Sequence, residues 1–288
     1  MKLFYNDDYV ASRYAFDTTR KSQHIIKSLY DDPVENLEIY DPHLFTDETK
    51  SIIQRIHTDD YVNALQSGKP RNLAESQGFD WDEGIWTMAV AHSSGLVGAI
   101  HYALEENTLT GSLSSGLHHA RRGMGGGFCT VNGLAVAARH ALDMEASRVL
   151  VLDFDAHGGG GTWDIIKSKM PSVTQIDVVC SLFDTYEPSG ESAIWEASAA
   201  NYSDQIERAL EYAETLAPFD VIIYNAGMDP LNSGVDIEDI IYREAAVRSF
   251  IGNTPAVFAL AGGYTWGKKS MDDVVSWHRL TIEQWAGE

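Results

Sequence analysis

Four short apolar runs along the chain have the length and composition of buried β-strands. Each is rich in valine, leucine, isoleucine or alanine with little polar interruption, which is typical of strands covered on both faces in a parallel sheet. The runs occupy residues 148–152, 176–182, 221–224 and 256–260. We predict that they belong to one parallel sheet.

Between these runs, apolar residues recur every three or four positions, as they do on one face of an α-helix. This pattern covers residues 131–142 and 202–213, and residues 86–104 have the composition of a longer, mostly buried helix with small residues. Residues 66–78 have the composition of a surface loop. Strands that alternate with helices indicate a sheet flanked by helices. We therefore predict an α/β fold in which residues 1–288 form a single three-layer domain.

The composition agrees with a large globular domain. A chain of 288 residues with 44% hydrophobic residues can bury a substantial core. No stretch approaches the roughly 20 apolar residues of a membrane span, and the first eight residues include acidic side chains, so we expect a cytoplasmic protein. The two cysteines, Cys129 and Cys180, provide neither a disulfide framework nor a four-cysteine metal site.

The formal net charge of −21 argues against a nucleic-acid partner, because the phosphate backbone favours basic surfaces. The same charge would attract a cationic substrate. It also serves solubility, so it leaves the substrate open.

Polar residues follow two of the apolar runs directly. Asp153, Asp155 and His157 come after the run 148–152, and Asp229 comes shortly after the run 221–224. Ligands bind beyond the carboxyl ends of strands in open α/β sheets. Two carboxylates and one imidazole with open positions would form a catalytic zinc site, although iron(II) and cobalt(II) suit the same ligands. The alternative is a set of solvated carboxylates at strand ends.

Two further features suggest hydrolytic chemistry. The adjacent His118 and His119 precede a glycine-dense turn, and Tyr264 follows the run 256–260 through two glycines. A histidine can act as a general base near neutral pH, and a phenol can donate a hydrogen bond to an oxyanion. Ordinary loop histidines and a packing tyrosine are the alternatives. The glycine patterns of nucleotide-binding loops are absent from the sequence.

Five motifs in this order resemble those of the histone deacetylase and acetylpolyamine amidohydrolase superfamily. They are HHA at 118–120, GFC at 127–129, DxDxH at 153–157, AGxDP at 226–230 and GGY at 262–264. With a further similar segment at 55–63, the resemblance covers most of the chain. It implies the arginase/deacetylase fold, with a divalent metal at the bottom of a narrow channel.

The resemblance also implies a role for each matching residue. It makes Asp155, His157 and Asp229 the metal ligands. It makes His118 and His119 the histidine pair, with His119 as the proton-transferring member and Asp153 as the hydrogen-bond partner of His118. Tyr264 would stabilise the oxyanion, and Gly127 and Phe128 would line the channel.

The chain departs from the family pattern in three places. The family has Asp or Asn at the position of Gly160, so His119 is expected to lack its usual partner. The segment 230–234 after Asp229 is more compact than usual. The chain is also short for the family, from which we expect a wider and more open channel.

We interpret the chain as a metal-dependent amidohydrolase that removes an acyl group, with acetyl favoured, from an alkylamine such as acetyl-lysine or an acetylpolyamine. Zinc is the favoured metal. Asp80 and Asp82 are candidates for the channel rim, where they could hold a distal ammonium or peptide amides. A catalytically weak acyl-amine binding protein and a ureohydrolase are the alternatives. The sequence leaves the oligomeric state open.

Overall fold

One parallel sheet organises the molecule. The computed structural model describes residues 1–14 and 16–287. Its strands are β1 Lys2–Phe4, β2 Glu38–Tyr40, β3 Leu109–Ser112, β4 Val149–Asp153, β5 Val173–Val179, β6 Ala193–Glu196, β7 Val221–Asn225 and β8 Ala256–Ala259. They form an eight-stranded sheet in the order β2-β1-β3-β8-β7-β4-β5-β6, and every neighbouring pair is parallel.

Helices cover both faces of the sheet. Their bounds are α1 Asp17–Asp31, α2 Thr46–Ile56, α3 Asp59–Ser67, α4 Arg71–Ala74, α5 Gly84–Glu106, α6 Gly133–Asp143, α7 Gly160–Lys169, α8 Tyr202–Leu216, α9 Ile237–Ile251 and α10 Met271–Ala286. Successive side chains of a strand point to opposite faces. In β4, for example, Leu150 and Leu152 pack with the core that includes α8 to α10, while Val149 and Val151 pack with the core under α5 and α6. The predicted α/β fold with flanking helices is confirmed.

The four predicted strands and three predicted helices are present, with two differences in detail. The second predicted run, 176–182, was displaced, because β5 begins at Val173 and ends at Val179. The strand starts earlier than predicted since its polar residues Gln175 and Asp177 are buried and hydrogen-bonded to each other at 2.9 Å. The predicted loop 66–78 contains the short helix α4, which begins directly after Pro70. Proline suits a helix start because that position needs no backbone N–H donor.

The carboxyl ends of five adjacent strands face the same edge of the sheet. These strands are β3, β8, β7, β4 and β5 in spatial order. The segments that follow them carry, in the same order, the histidine pair, Tyr264, Asp229, the Asp155–His157 turn and the loop around residue 184. The parallel sheet therefore brings residues from distant parts of the sequence together at one edge.

Candidate active site

Asp155, His157 and Asp229 form a compact cluster. Nδ1 of His157 lies 3.1 Å from Oδ1 of Asp155 and 3.0 Å from Oδ2 of Asp229. The ligand atoms of all three lie within 4.8 Å of one another, and the two carboxylates are almost fully buried. The strand β4 ends at Asp153, so residues 155–157 form a bend rather than extended chain, yet the two side chains still meet.

Backbone amides hold the two carboxylates of this cluster in place. Gly262 N donates to Oδ2 of Asp155 at 2.8 Å, and Ala156 N donates to Oδ1 of Asp229 at 2.9 Å. A Cβ atom at Gly262 would lie 2.5 Å from an oxygen of each carboxylate. Only glycine therefore lets the segment after β8 approach so closely.

The donor set fits a divalent cation. Three ligands about 2.0–2.2 Å from a tetrahedral zinc ion stand about 3.3–3.6 Å apart, slightly more than the 3.1 Å and 3.0 Å between Nδ1 of His157 and the two carboxylate oxygens. Oδ2 of Asp229 is buried, and it has no hydrogen-bond partner of good geometry within residues 1–14 and 16–287. Two buried carboxylates need a neighbouring positive charge to be stable, and either a protonated His157 or a bound cation would supply it. The cluster therefore fits a metal ion.

The charges within the cluster are strongly coupled. Burial and the neighbouring Asp155 raise the pKa of Asp229 to about 6. Burial alone would lower the pKa of His157, but its hydrogen bonds to Asp155 and Asp229 raise it to about 11. Because a metal ligand must be unprotonated, a cation that binds here would displace a proton from His157.

The histidine pair lies beside the metal cluster. Nδ1 of His118 is 2.8 Å from Oδ2 of Asp153, which also accepts a hydrogen bond from Asn225 through its other oxygen. The rings of His118 and His119 are 3.9 Å apart, and Nε2 of His118 is 3.6 Å from Asp155. The carboxylate that the resemblance assigned to His118 is thus within hydrogen-bond distance of it.

The two histidines differ in their affinity for a proton. Burial alone would lower the pKa of His118, but the carboxylates of Asp153 and Asp155 raise it to about 10. Burial and the charge of His118 lower the pKa of His119 to about 4, although Asp184 acts in the opposite direction. At neutral pH His118 therefore holds a proton, whereas His119 is neutral, which is the state that a general base requires.

His119 does have a carboxylate partner, contrary to the expectation from Gly160. Its Nδ1 lies 2.8 Å from Oδ2 of Asp184, a residue of the loop after β5. The guanidinium of Arg121 pairs with the other oxygen of Asp184. The expectation was wrong because it considered only the position in the DxDxH motif, whereas the partner comes from a neighbouring strand end.

Tyr264 is held by Asn232, which lies in the compact segment after Asp229. Asn232 Nδ2 donates to Tyr264 O at 3.1 Å, and Tyr264 N donates to Asn232 Oδ1 at 3.2 Å. The indole of Trp266 stacks on the Tyr264 ring at 4.1 Å with an interplanar angle of 7°. Asn232 consequently holds the backbone of Tyr264, and Trp266 holds one face of its ring.

Aromatic rings form the walls near these groups. Phe128 has a left-handed backbone with φ 65°, and its ring lies 5.0 Å from Phe16 and 6.4 Å from Tyr264. On the other side, the ring of Phe183 meets His119 edge-on at 4.9 Å. A Cβ atom at Gly127 would lie 2.3 Å from the ring of His119. Gly127 and Phe128 therefore lie beside His119 and Tyr264.

The site is more enclosed than expected from the short chain. His119 and Tyr264 are both 6% exposed and His118 is 5% exposed. The rings of Phe183 and Trp266 occupy the space beside them. The expectation of a wide, open channel is therefore not met at the reacting groups, where Phe183 packs against His119 and Trp266 against Tyr264 while both aromatic rings remain about half exposed.

The two candidate rim carboxylates have different surroundings. Asp80 is exposed and directly follows Phe79, whose ring stacks on Phe128 at 5.6 Å. Asp82 instead accepts hydrogen bonds from the backbone of Arg13 at 2.9 Å and of Gly84 at 3.0 Å, and its side chain is only 14% exposed. Asp82 therefore joins two chain segments, and its carboxylate is less available than that of Asp80 for a substrate at the channel rim.

Sequence reasoning missed Asp184, Asn232, Phe183 and Trp266. Asp184 and Phe183 follow β5, so the strand-end rule that identified Asp155 would also have drawn attention to them. Asn232 and Trp266 carry no comparable signal, because their roles depend on contacts between loops.

Within the described ranges, no helix is both long and apolar enough to cross a membrane.

The sequence is similar to a known domain family and to several known proteins. The family model for the histone deacetylase domain matches residues 16–279. An uncharacterised protein of Picosynechococcus is 26% identical over 271 residues, which is 88% of this chain and 86% of that protein. The acetoin utilization protein AcuC of Bacillus subtilis is 34% identical over 134 residues, and human histone deacetylase 1 is 31% identical over 136 residues. Each of these two alignments covers 43% of this chain, and they cover 34% of AcuC and 27% of the human protein.

Solved structures show the same fold. The acetylpolyamine aminohydrolase of Burkholderia pseudomallei superposes with a TM-score of 0.79 at 16% identity, over 100% of this chain and 99% of that one. The HD domain of HDA15 gives a TM-score of 0.78 at 17% identity, over 100% and 91% of the two chains. Because the family's domain accounts for most of the sequence and the fold is shared, the chain belongs to the histone deacetylase family and is a hydrolytic deacetylase.

Proposed function

We propose that this deacetylase hydrolyses the amide bond of an acetylated linear alkylamine, such as acetyl-lysine or an acetylpolyamine, in one catalytic domain that spans the chain. The observation that carries the proposal is the position of the Asp155, His157 and Asp229 cluster beside the His118–His119 pair. Aromatic walls around Phe128 and Phe183 suit an unbranched alkyl stem, which gains free energy by leaving water. The net charge of −21 favours an amine over a nucleic acid.

The metal ligands in this proposal are Asp155, His157 and Asp229. Zinc suits a site with three protein ligands of this kind, and iron(II) and cobalt(II) accept the same donors. When bound, the ion supplies Lewis acidity, which polarises the amide carbonyl and makes water a better nucleophile. The amides of Gly262 and Ala156 keep the two carboxylates oriented for this task.

His119 is the proposed general base. Its Nδ1 donates to Asp184, which leaves Nε2 to take a proton from the attacking water. His118, bound to Asp153, carries the positive charge that balances the transition state. The nitrogen of the leaving amine must gain a proton as its bond to carbon breaks, and the histidine pair supplies it. The products are the free amine and acetate.

Tyr264 is the proposed oxyanion donor. A phenol fixed by Asn232 and Trp266 is preorganised, so its hydrogen bond to the developing oxyanion requires little rearrangement. Such preorganised donors act most strongly where water is excluded, and Tyr264 is only 6% exposed.

The test is an assay of the purified protein, supplied with zinc, iron(II) or cobalt(II), on three substrate classes. We expect acetyl-lysine peptides and acetylpolyamines to release acetate, and N-acetylated α-amino acids to react far more slowly. The variant Asp229→Ala is the matched control for contaminating hydrolases. Preference for N-acetylated α-amino acids would contradict the substrate class, and binding without turnover would favour an acyl-amine binding protein. Release of urea from guanidino compounds would favour a ureohydrolase.

A further inference from the structure

We propose that Asp184 is the positioning residue of His119, and that it performs this role from the loop after β5 while the helix start at Gly160 is kept free of a side chain. This inference rests on the proposed function, because it concerns the general base. Asp184 extends the set of proposed site residues, and it lies outside the five sequence motifs, which contain the proposed metal ligands, the histidine pair and Tyr264.

The contacts of Asp184 are those of an orienting carboxylate. Oδ2 lies 2.8 Å from Nδ1 of His119 and accepts a hydrogen bond from Gly161 N at 3.2 Å. Oδ1 pairs with Arg121, which also donates to Gly160 O at 3.1 Å. The side chain of Asp184 is only 9% exposed. The carboxylate is therefore shielded from water and held at both oxygens.

The geometry around Gly160 explains why the carboxylate comes from another loop. Gly160 N donates to Asp184 O at 3.0 Å, so the two backbones are in direct contact. A Cβ atom at position 160 would lie 2.5 Å from both the backbone oxygen and Oδ1 of Asp184. A side chain at position 160 and Asp184 in its present place therefore exclude each other.

The loop holds Asp184 in an unusual backbone conformation. Its φ of 56° is left-handed, which Asp tolerates better than most residues but which still carries a cost. Two further hydrogen bonds are made by the residues on either side of Asp184. Gly158 N donates to Phe183 O at 3.0 Å, and Tyr186 Oη donates to the buried Asp177 at 2.9 Å.

The consequence for His119 is a fixed tautomer and ring orientation. A carboxylate oxygen only accepts, so Nδ1 carries the proton and Nε2 is left as the basic nitrogen. The edge of Phe183 at 4.9 Å limits rotation of the same ring. Without Asp184, both tautomers would be populated, and only one of them can remove a proton through Nε2.

The test compares three single variants of the full chain. Asp184→Gly removes the carboxylate, and glycine adopts a φ of 56° without strain. Asp184→Asn keeps an acceptor for Nδ1, and Asn also tolerates this conformation. Tyr186→Phe is the matched control, since it removes an anchor of the same loop that does not touch His119. Thermal unfolding establishes that each variant is folded, and metal content is measured for each.

For Asp184→Gly we expect kcat to fall about tenfold to a hundredfold, while KM and the metal content stay unchanged. This loss is part of the roughly 10²- to 10⁴-fold rate enhancement that a positioned acid–base group contributes. Asp184→Asn should retain several-fold more activity than Asp184→Gly, and Tyr186→Phe should stay within about threefold of the wild type. Unchanged kcat in Asp184→Gly would overturn the inference. So would an equal loss in Tyr186→Phe, because loop order would then explain the effect.

A second readout does not depend on turnover. Long-range ¹H–¹⁵N NMR spectra of histidine-labelled protein report which ring nitrogen of His119 carries the proton. We expect the Nδ1–H form in the wild type and in Asp184→Asn, and a mixture in Asp184→Gly. The same tautomer in all three proteins would overturn the inference. A wild-type protein without hydrolase activity would contradict the proposed function, while this spectrum would still decide the role of Asp184.

Discussion

Asn232 and Tyr264 exchange two hydrogen bonds, one in each direction, across the gap between the segments that follow β7 and β8. The side chain of Asn232 donates to the carbonyl of Tyr264 and accepts from its amide, at 3.1 Å and 3.2 Å. The proposed metal ligand Asp229 lies three residues before Asn232. One side chain thus ties the proposed oxyanion donor to the segment that carries a proposed metal ligand.

From these two hydrogen bonds between Asn232 and Tyr264 we predict that Asn232→Ala lowers turnover without loss of metal. Removing both hydrogen bonds costs about 1 kcal/mol each and releases the backbone that aims the Tyr264 ring. We expect kcat to fall several-fold, less than when the phenol itself is removed. The comparison variant is Asn232→Asp, which keeps an acceptor for Tyr264 N and should lose less. Full turnover in Asn232→Ala would show that Trp266 stacking alone fixes the ring.

Tyr264→Phe should lower kcat about a hundredfold or more, the usual size for losing one oxyanion donor. The phenol acts on the transition state, so KM and metal content should change little. Steady-state kinetics on an acetyl-lysine peptide, with metal analysis of the same preparations, checks this expectation. Turnover equal to that of the wild type would make Tyr264 a packing residue.

The sequence predicted the metal cluster because its members follow buried strands directly. Asp155, His157 and Asp229 lie within four residues of the ends of β4 and β7, so the direction of the strands fixes their location. Asp184 pairs with His119 across 65 positions through a loop whose path depends on Gly158 and Gly160. This contact could not be predicted from the sequence, because it depends on how the loop after β5 folds against α7.

An unbroken apolar run explains which strands could be predicted. The missed strands β1, β2, β3 and β6 have three or four residues and each includes at least one polar or charged residue, whereas the equally short β8 is apolar throughout. These short strands take their positions in the sheet by pairing with adjacent strands. The long helix α5, in contrast, was predicted from its composition to within two residues at each end.

Metal affinity should increase with pH across the neutral range. Burial opposes a proton on His157, but its hydrogen bonds to Asp155 and Asp229 raise its pKa to about 11, so a metal ion must displace that proton at pH 7. The apparent association constant should rise about tenfold per pH unit between pH 7 and 8. Below pH 6 the slope should steepen, because the pKa of Asp229 is raised to about 6 and a second proton competes. Competition with a chromophoric chelator measures the constant, and a pH-independent value would contradict the assignment of His157.

Asp80 should influence the binding of substrates that carry a distal ammonium. It is exposed beside the aromatic wall, so Asp80→Asn should raise KM for an acetylpolyamine about two- to fivefold, the size of an exposed ion pair. KM for a neutral acetylated alkylamine serves as the internal control and should not change. The effect should shrink at high salt. An equal change for both substrates would show that Asp80 acts on the loop rather than on the ammonium.

The last prediction concerns Gly160 itself. Alanine at an ordinary helix position gains up to about 1 kcal/mol over glycine, and this gain is reduced at the first residue of α7. Here the added Cβ would meet the backbone oxygen of Asp184 at 2.5 Å, and overpacking of this kind costs about 1–3 kcal/mol. The clash is with backbone, so a rotation of the Asp184 side chain cannot relieve it. We therefore expect Gly160→Ala to lower both the unfolding temperature and kcat.

The control for this variant is Gly123→Ala, whose Cβ would find its nearest neighbour, Thr58, at an ordinary 3.8 Å. It should keep the wild-type stability to within about 0.5 kcal/mol. Gly160→Asp should behave like Gly160→Ala, because it meets the same backbone oxygen before its carboxylate can replace that of Asp184. Denaturant unfolding of all three variants, followed by kcat, provides the comparison. A stable and fully active Gly160→Asp protein would show that the loop after β5 moves at little cost, and that the two carboxylate positions are interchangeable.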